Sequence, residues 1–222
     1  MKRNLVTAAL LSLFILLIPT SAGATKFLEL KVIDKEYLMV HFRDGEVHYR
    51  DDATGPSAYL GHSFAEGDDT LLVFAPRLNP EAAAKAGDWI ISSRDDKAYG
   101  SRAALQAFRK SKPMNTDHTL TSELDHWIFL KLPKAMKQGC SYTVSIPSGI
   151  GSDASSAEVT FDIWNTQSEA VHVNILGYIP EEPVKEADLY LWLGEGGPRD
   201  YKSFEGKKVY LYNPSTGKRS KV

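Results

Sequence analysis

Adjacent aspartates occur at three places in the chain, Asp51-Asp52, Asp68-Asp69 and Asp95-Asp96. Two carboxylates can serve as acid and base in glycoside hydrolysis, or bind calcium through their oxygens. Neighbouring residues of a strand point to opposite faces, however, and aspartate favours turns because its side chain bonds the local backbone. Since no calcium-loop spacing accompanies the pairs, we predict solvated turns at all three places.

Histidine is the next residue type with catalytic or metal-binding chemistry, and the chain has 6. None shows the H-x-x-x-H or H-E-x-x-H spacing that brings two ring nitrogens to one metal. A hairpin at Asp44-Gly45 places His41 opposite His48 on neighbouring strands. Without a third ligand, a solvated cross-strand pair is favoured over a metal-binding pair, and no metal or other cofactor is predicted.

Two candidate nucleophiles lack the context that their chemistry needs. Gly61-His62-Ser63-Phe64-Ala65 approximates the nucleophile elbow of α/β hydrolases, but that elbow requires a strand-to-helix turn in a parallel sheet. A second acidic turn and a strand follow here, so we interpret the match as coincidence. Cys140 is the single cysteine and cannot form an internal disulfide. We predict a small, half-buried side chain at the start of a strand.

Aromatic residues suggest a carbohydrate contact, because exposed tryptophan and tyrosine rings can stack on sugars. The four tryptophans, Trp89, Trp127, Trp164 and Trp192, fall in predicted strands with apolar neighbours, where core packing is the usual outcome. Trp89 and Trp127 are kept as candidate carbohydrate contacts. The basic stretch 109–113 is predicted to be a solvated loop or a contact to a neighbouring domain, being too short for nucleic-acid binding.

The composition indicates a globular, exported protein. The chain has 222 residues, 43% hydrophobic and 24% charged, and its net charge of −2 argues against a nucleic-acid partner. Lys2 and Arg3 precede the apolar run Leu5–Ile18, and the small residues of 22–24 follow. Residues 1–24 are therefore predicted to be a signal peptide, since a membrane anchor, the alternative, needs ~20 apolar residues. The mature chain is expected to be secreted or periplasmic and free of the membrane.

The elements that carry these residues are predicted to be strands. Period-two alternation begins at Phe27, and turn residues separate most of the extended runs. One helix of about two turns is predicted, capped by Asn79, started by Pro80 and closed by Gly87. Many short strands with one small helix favour a β-sandwich. The predicted strands after the hairpin are 71–74, 89–92, 104–110, 127–132, 142–146 and 159–164.

A tyrosine corner supports an immunoglobulin-like sandwich in this first region. Met136, Gly139 and Tyr142 show the spacing in which an apolar residue, a turn glycine and a tyrosine lead into a core strand. The tyrosine hydroxyl then bonds back to the backbone. A turn followed by a strand that happens to carry Tyr142 is the alternative. The polar stretch after residue 164 sets the predicted boundary, giving a first domain at 25–166 and a second at 167–222.

The second region resembles a known family. Its stretch Val171–Pro180, with Lys185 downstream, resembles the opening strand of the N-terminal immunoglobulin-like domain of family nine glycoside hydrolases, the cellulase and endoglucanase group. The matching positions are Val173, Asn174, Gly177, Tyr178, Pro180 and Lys185, while Ile175 stands where the family usually has Gln. Residues 207–218 are similar to the strand and turn that typically come next.

The resemblance implies a parent protein in which this module packs on a large helical catalytic domain, which is absent here. Three predicted strands in 171–222 are too few to close a sandwich, so we expect the chain to stop inside its second domain. The first hypothesis is a non-catalytic N-terminal region of a secreted carbohydrate-active enzyme, which supports or orients the catalytic domain. The alternative is a sandwich that binds polysaccharide or a cell-surface partner. An enzyme with its own catalytic site has the least support.

Overall fold

The computed structural model describes residues 24–48, 70–72, 77–116 and 119–221. The helical elements of these residues are the α-helix α1 (Pro80–Ala83) and short 3₁₀ turns at Ala86–Asp88, Ser148–Ile150, Gly194–Gly196 and Lys202–Phe204. The strands are β1 (Lys26–Asp34), β2 (Tyr37–Asp44), β3 (Glu46–His48), β4 (Thr70–Leu72), β5 (Ile90–Ser92), β6 (Ser101–Ala103), β7 (Gln106–Thr116), β8 (Ser122–Lys131), β9 (Ser141–Ser145), β10 (Ser156–Thr160), β11 (Val171–His172), β12 (Asp188–Leu189), β13 (Tyr210–Asn213) and β14 (Lys218–Lys221).

Several sequence predictions lie outside the described residues. They are the signal peptide apart from Ala24, the pairs Asp51-Asp52 and Asp68-Asp69, the segment 61–65, and His118.

The predicted all-β class is confirmed. One antiparallel sheet has the spatial order β1-β2-β8-β7, and a second has the order β10-β9-β5-β6. Their facing sides enclose the main core, which forms because apolar residues alternate along each strand. The core includes Leu38, Val40, Phe42, Trp89, Ile91, Ile128, Leu130, Tyr142 and Val144.

Strand β2 is buried on both faces. Leu38 and Val40 face the main core, whereas Tyr37 and Met39 belong to a second apolar cluster on the outer face of the first sheet. A strand covered on one side only shows a clean alternation of apolar and polar residues. The buried outer face therefore indicates that another part of the chain covers this end of the sheet.

The hairpin predicted at Asp44-Gly45 is wrong. One residue separates β2 from β3, and β3 pairs with β4 while β2 pairs with β1 and β8. Gly45 has a φ of 96°, which lets the chain leave the first sheet abruptly. His41 consequently lies opposite Trp127, not opposite His48.

The predicted helix is shorter than expected. The Asn79 side chain accepts hydrogen bonds from the backbone N–H groups of Glu81 and Ala82, as predicted for the cap, but α1 ends at Ala83. The 3₁₀ turn that follows contains Gly87. Among the strands, β6 was not predicted. Strands β7 (11 residues) and β8 (10 residues) are each four residues longer than the predicted ranges 104–110 and 127–132, because they pair with each other over most of their lengths.

The C-terminal region, residues 167–221, contains two separate two-stranded ribbons, β11-β12 and β13-β14. The strand predicted from Val171 ends at His172, and residues 173–180 have no strand pairing. Period-two alternation predicts a strand only where a partner and a buried face are available. Another of the three strands predicted in 171–222 was expected at 188–193, from the alternation of Leu189, Leu191 and Leu193. It ends at Leu189, although Leu191 and Leu193 are buried beyond it.

Candidate docking surface

The C-terminal region is anchored on the outer face of the first sheet. Leu191, Leu193 and Ala170 are buried in the same apolar cluster as Met39 and Phe129. We name residues 188–199 the anchored segment. Its alternate residues Tyr190 and Trp192 face away from the sheet and are exposed. The anchor thus covers the end of β2 and β8 that would otherwise expose an apolar face to water.

Two glycines allow this segment to approach β7 closely. A Cβ atom on Gly194 would lie 2.2 Å from the carbonyl oxygen of Arg109, and one on Gly196 would lie 2.5 Å from the Phe108 ring. Neither space admits a side chain without movement of the backbone or ring. Gly194 and Gly196 therefore permit close packing of this segment on β7.

Arg199 fixes the end of the anchored segment. Its guanidinium donates to Asp34 at 3.3 Å and to Glu36 at 2.8 Å, and it lies over the Tyr37 ring, 4.4 Å from the centroid. The Arg199 side chain is only 7% exposed. Burial raises the pKa of Asp34 above its ordinary value, and the hydrogen bond from Glu36 N–H and the charge of Arg199 oppose that rise.

Two exposed ion pairs add to the anchor. Arg109 lies 3.0 Å from Glu195, and Lys31 lies 3.3 Å from Glu169. Exposed pairs of this kind contribute about 0–1 kcal/mol each. Of the two interpretations of the basic stretch 109–113, the structure supports a contact with a neighbouring region, and it places the stretch inside β7.

The residues that carry the family resemblance form a local loop. Gly177 has a φ of 84°, and its N–H donates to the carbonyl oxygen of Asn174. The Tyr178 hydroxyl donates to the carbonyl oxygen of Glu186 and accepts from the N–H of Asn174 at 3.3 Å. The Lys185 ammonium donates to the carbonyl oxygen of Pro180. The motif is thus closed on itself by its own hydrogen bonds.

This loop exposes apolar side chains. Ile175 is 97% exposed and Leu176 is 94% exposed. We name the exposed aliphatic residues of this loop the 173–184 surface; they are Val173, Ile175, Leu176, Ile179 and Val184. Val173 also lines a groove of about 480 Å³ with Ile33, Phe161 and Ile163, so the apolar surface continues onto the sandwich. Contiguous apolar surface of this kind marks interaction sites in soluble proteins.

The second ribbon, β13-β14, adds positive charge beside further apolar residues. Residues 207–221 contain five Lys or Arg and no Asp or Glu. Val209 and Leu211 are exposed. The Arg219 guanidinium lies 4.9 Å from the Trp164 ring centroid, and Trp164 contacts Tyr212. An acidic and partly apolar partner surface is complementary to this composition.

The tyrosine-corner residues lie at the edge of the sandwich core. The backbone N–H of Lys137 donates to the Tyr142 hydroxyl at 2.8 Å, which is the bond expected from the spacing. Met136 is buried, and Gly139 has a φ of 78°. Burial raises the pKa of Tyr142 above its ordinary value. Met136 and Tyr142 thus belong to the core of the sandwich and not to the 173–184 surface.

Asp96 departs from the predicted solvated turn. It is buried, and its carboxylate accepts from the Lys137 ammonium at 2.6 Å and from the Tyr142 hydroxyl at 3.3 Å. The bond from Lys137 lowers the pKa of Asp96. Its neighbour Asp95 accepts from the N–H of Ser141. This acidic pair is therefore part of the tyrosine corner rather than an acid and base aimed at a substrate.

The structure corrects the candidate carbohydrate contact at Trp89. This side chain is 0% exposed, and its Nε1–H donates to the carbonyl oxygen of Ala83, so no sugar can reach the ring. Trp127 is half-buried on the outer face of the first sheet. It stacks on His41 from one neighbouring strand, and the Lys110 ammonium lies over its ring from the other. Both neighbours compete with a sugar for its faces.

Exposed aromatic residues lie elsewhere, in the anchored segment. Tyr190 and Trp192 are 59% and 55% exposed, and their positions alternate with the buried Leu191 and Leu193. His172 stacks on Tyr190 with a centroid distance of 4.1 Å. The alternation therefore places both aromatic side chains on the solvent side of this segment.

The remaining candidates give no assembled metal or membrane site in the described part of the chain. Cys140 is a half-buried free thiol packed against the core. No cluster of three or more His, Cys, Asp or Glu suited to a metal occurs among residues 24–48, 70–72, 77–116 and 119–221. Over these same ranges, no helix is long and apolar enough to cross a membrane.

Sequence reasoning missed the residues that anchor the C-terminal region. Arg199 shows no local motif, because its partners Asp34 and Glu36 lie more than 160 positions earlier in the chain. Gly194 and Gly196 carry a weak signal, since glycines in an apolar stretch can mark a close backbone approach. That signal does not identify the surface approached.

Comparison with known proteins leaves the family open: no family model, no curated protein and no solved structure matches this chain.

Proposed function

We propose that this chain is a part of a secreted carbohydrate-active enzyme that is non-catalytic toward polysaccharide, and that its C-terminal region docks on a glycoside hydrolase catalytic domain. The observation that carries the proposal is the 173–184 surface, where aliphatic side chains such as Ile175 and Leu176 are almost fully exposed. Exposed aliphatic side chains gain free energy when a partner covers them.

The identity of the partner follows from the resemblance. Asn174, Gly177, Tyr178 and Pro180, which match the family nine pattern, form the same loop that exposes the aliphatic side chains. In that family the immunoglobulin-like module packs on a helical catalytic domain. Ala170 and Leu191, on either side of the loop, are buried against the sandwich, so the chain can orient such a domain.

A binding assay with a defined partner tests this proposal. The mature chain is titrated with a purified family nine catalytic domain from the same genome, and association is measured by calorimetry. Ile175→Asp buries a charge at the contact and is expected to weaken binding by at least about tenfold. Leu105→Asp, at an exposed leucine of the sandwich, is the matched control and is expected to change binding little. No association, or equal loss with both variants, contradicts the proposal.

Polysaccharide binding is the second candidate, and a different observation favours it. Tyr190 and Trp192 are exposed on one side of the anchored segment, and exposed aromatic rings can stack on sugars. Retention of the mature chain on insoluble glucans, lost on Trp192→Ala but kept on Trp127→Ala, is the expected result. Absence of retention on every glucan contradicts this second candidate.

A further inference from the structure

Three polar side chains meet across the first sheet, and none of them belongs to the 173–184 surface. Ser111 Oγ lies 2.7 Å from Nδ1 of His126, and Nε2 of His126 lies 3.0 Å from Oδ2 of Asp44. Ser111 and His126 are directly opposite on β7 and β8, and Asp44 ends β2 on the other side of β8. The register of three strands therefore builds a Ser-His-Asp chain from residues that are far apart in sequence.

Asp44 is held in its ionised form. The Thr25 hydroxyl donates to one carboxylate oxygen, and the backbone N–H of Leu78 lies 3.1 Å from both oxygens. Burial alone would raise the pKa of Asp44, but the hydrogen bonds from His126, Thr25 and Leu78 lower it below its ordinary value. An ionised carboxylate can only accept hydrogen bonds.

The ionised carboxylate fixes the direction of the other two bonds. Because Asp44 only accepts, Nε2 of His126 must carry the donated hydrogen. In the neutral imidazole, Nδ1 is then the acceptor, so the Ser111 hydroxyl donates to it. The serine thus donates to the imidazole and the imidazole donates to the carboxylate, as in a serine activated by a general base. In serine proteases the serine bonds Nε2 and the aspartate bonds Nδ1, whereas here Ser111 bonds Nδ1 and Asp44 bonds Nε2.

Burial and exposure are divided as a reactive serine requires. The side chains of His126 and Asp44 are 5% and 3% exposed, so neighbouring groups hold the base and its carboxylate in place. Ser111 is exposed, and β7 is an edge strand of the sheet. A reagent can therefore approach the hydroxyl while the base behind it stays shielded from water.

We propose that Ser111 is a nucleophilic serine that small carboxylic esters acylate, with His126 as its general base. The Ser111 oxygen forms a bond to the ester carbonyl carbon while its proton passes to Nδ1 of His126. The bond to the alkoxy group then breaks, and the leaving alcohol takes that proton. Water releases the acyl group by the reverse use of the same base. Asp44 acts as a positioning residue, because it holds the imidazole through Nε2 and does not contact the ester.

The experiment measures acylation of the mature chain by p-nitrophenyl acetate and by a fluorophosphonate probe. The modified residue is located by peptide mass spectrometry, and the rate is followed by release of the nitrophenolate. Ser111 is expected to be labelled at least about 100-fold faster than in the His126→Asn variant, because a positioned general base contributes about 10²–10⁴ in rate. Ser111→Ala is expected to remove the label.

Two controls separate activation from simple exposure and from misfolding. Ser122 lies on β8 with its hydroxyl 2.7 Å from that of Thr116 and has no imidazole partner among the residues that the structure describes, so Ser122→Ala is expected to leave labelling unchanged. Ser111→Ala changes an exposed side chain, and its circular dichroism spectrum is expected to match that of the wild type. Absence of label on Ser111, equal rates with and without His126, or labelling of lysines alone overturns the proposal. None of these results tests the contact proposed for the 173–184 surface, because Ser111, His126 and Asp44 are not part of that surface.

Discussion

The same residue types are buried in the sandwich and exposed in the C-terminal region. In the sandwich, Trp89, Leu38 and Ile128 are fully buried between two four-stranded sheets. In residues 171–211, the side chains of Trp192, Leu176 and Ile175 face water. The difference arises because two-stranded ribbons cannot enclose a core of their own. Buried apolar residues therefore define a fold, and exposed ones define a surface that a partner can cover.

The anchored segment lies between these extremes. Leu191 and Leu193 are buried, but against Met39 and Phe129 of the sandwich rather than against their own region. The C-terminal region is thus held in place by its contacts with the sandwich, and its remaining apolar side chains face water. Substitutions in the two regions should then have separable effects, and the following changes test that separation.

Trp89→Ala should cause the largest loss of stability. Removing a fully buried tryptophan side chain leaves a cavity between the sheets and costs about 3–5 kcal/mol. Trp192→Ala removes the same side chain from an exposed position, so its cost should stay near 0.5 kcal/mol. Urea denaturation followed by far-ultraviolet circular dichroism measures both. Similar losses for the two variants would remove the distinction between the regions.

Arg199→Ala should release the C-terminal region while the sandwich stays folded. The change leaves Asp34 buried without its cation, which weakens the attachment of the C-terminal region to the sandwich by about 3 kcal/mol. Hydrogen exchange should accelerate in residues 188–204 and stay slow in β2 and β8. Arg94→Ala is the control, because the Arg94 side chain is 94% exposed and its pair with Glu158 is weak. Uniform acceleration over the whole chain would show that the regions unfold together.

Gly196→Ala should weaken the same anchor by a steric route. The new methyl group would overlap the Phe108 ring, and overpacking of this kind costs about 1–3 kcal/mol. Gly87→Ala is the matched control, since nothing lies within 4 Å of its Cβ position. Proteolysis of the C-terminal region, followed by mass spectrometry, compares the two variants. Equal cleavage rates would show that the segment does not depend on this close approach.

Tyr142→Phe should destabilise the sandwich by about 1–2 kcal/mol, because the N–H of Lys137 loses its acceptor in a partly buried hydrogen bond and the buried Asp96 loses a donor. Tyr99→Phe provides a contrast within the same core. The Tyr99 hydroxyl is buried and has no hydrogen-bond partner among the described residues, so its removal should cost about 0.5 kcal/mol or less. Thermal unfolding separates the two. A cost for Tyr99→Phe as large as that for Tyr142→Phe would place the effect in ring packing rather than in the tyrosine corner.

The sequence predicts the sandwich better than the docking surface for a physical reason. Alternation along β1 and β9, the cap at Asn79 and the spacing of Met136, Gly139 and Tyr142 are local signals, and local signals can be recognised without knowledge of the partner strands. The path of the chain after Asp44 depends on Gly45 and on which strand is free to pair, so the predicted hairpin was wrong. The same limit applies to Arg199 and to the Ser111–His126–Asp44 chain, whose members meet only through strand register.

Acidification should act with opposite signs on the two regions, and this is the smallest effect. The pKa of Asp44 is lowered in the folded chain, so its contribution to stability is present above the unfolded value of about 3.9 and is lost as the pH falls through the folded pKa. The pKa of Asp34 is raised mainly by burial, against the charge of Arg199, so the folded chain binds a proton there more readily than a state in which Asp34 is exposed to water. The attachment of the C-terminal region to the sandwich should therefore hold or strengthen as the pH falls toward about 4, while the sandwich itself loses stability below that value. Hydrogen exchange measured from pH 7 to pH 3 follows both regions. Asp34→Asn is expected to reduce the pH dependence of exchange in the C-terminal region, and Asp44→Asn is expected to reduce the pH dependence of exchange in the sandwich. If exchange in the C-terminal region accelerates at a higher pH than exchange in the sandwich, protonation of Asp34 weakens the attachment, which contradicts this prediction.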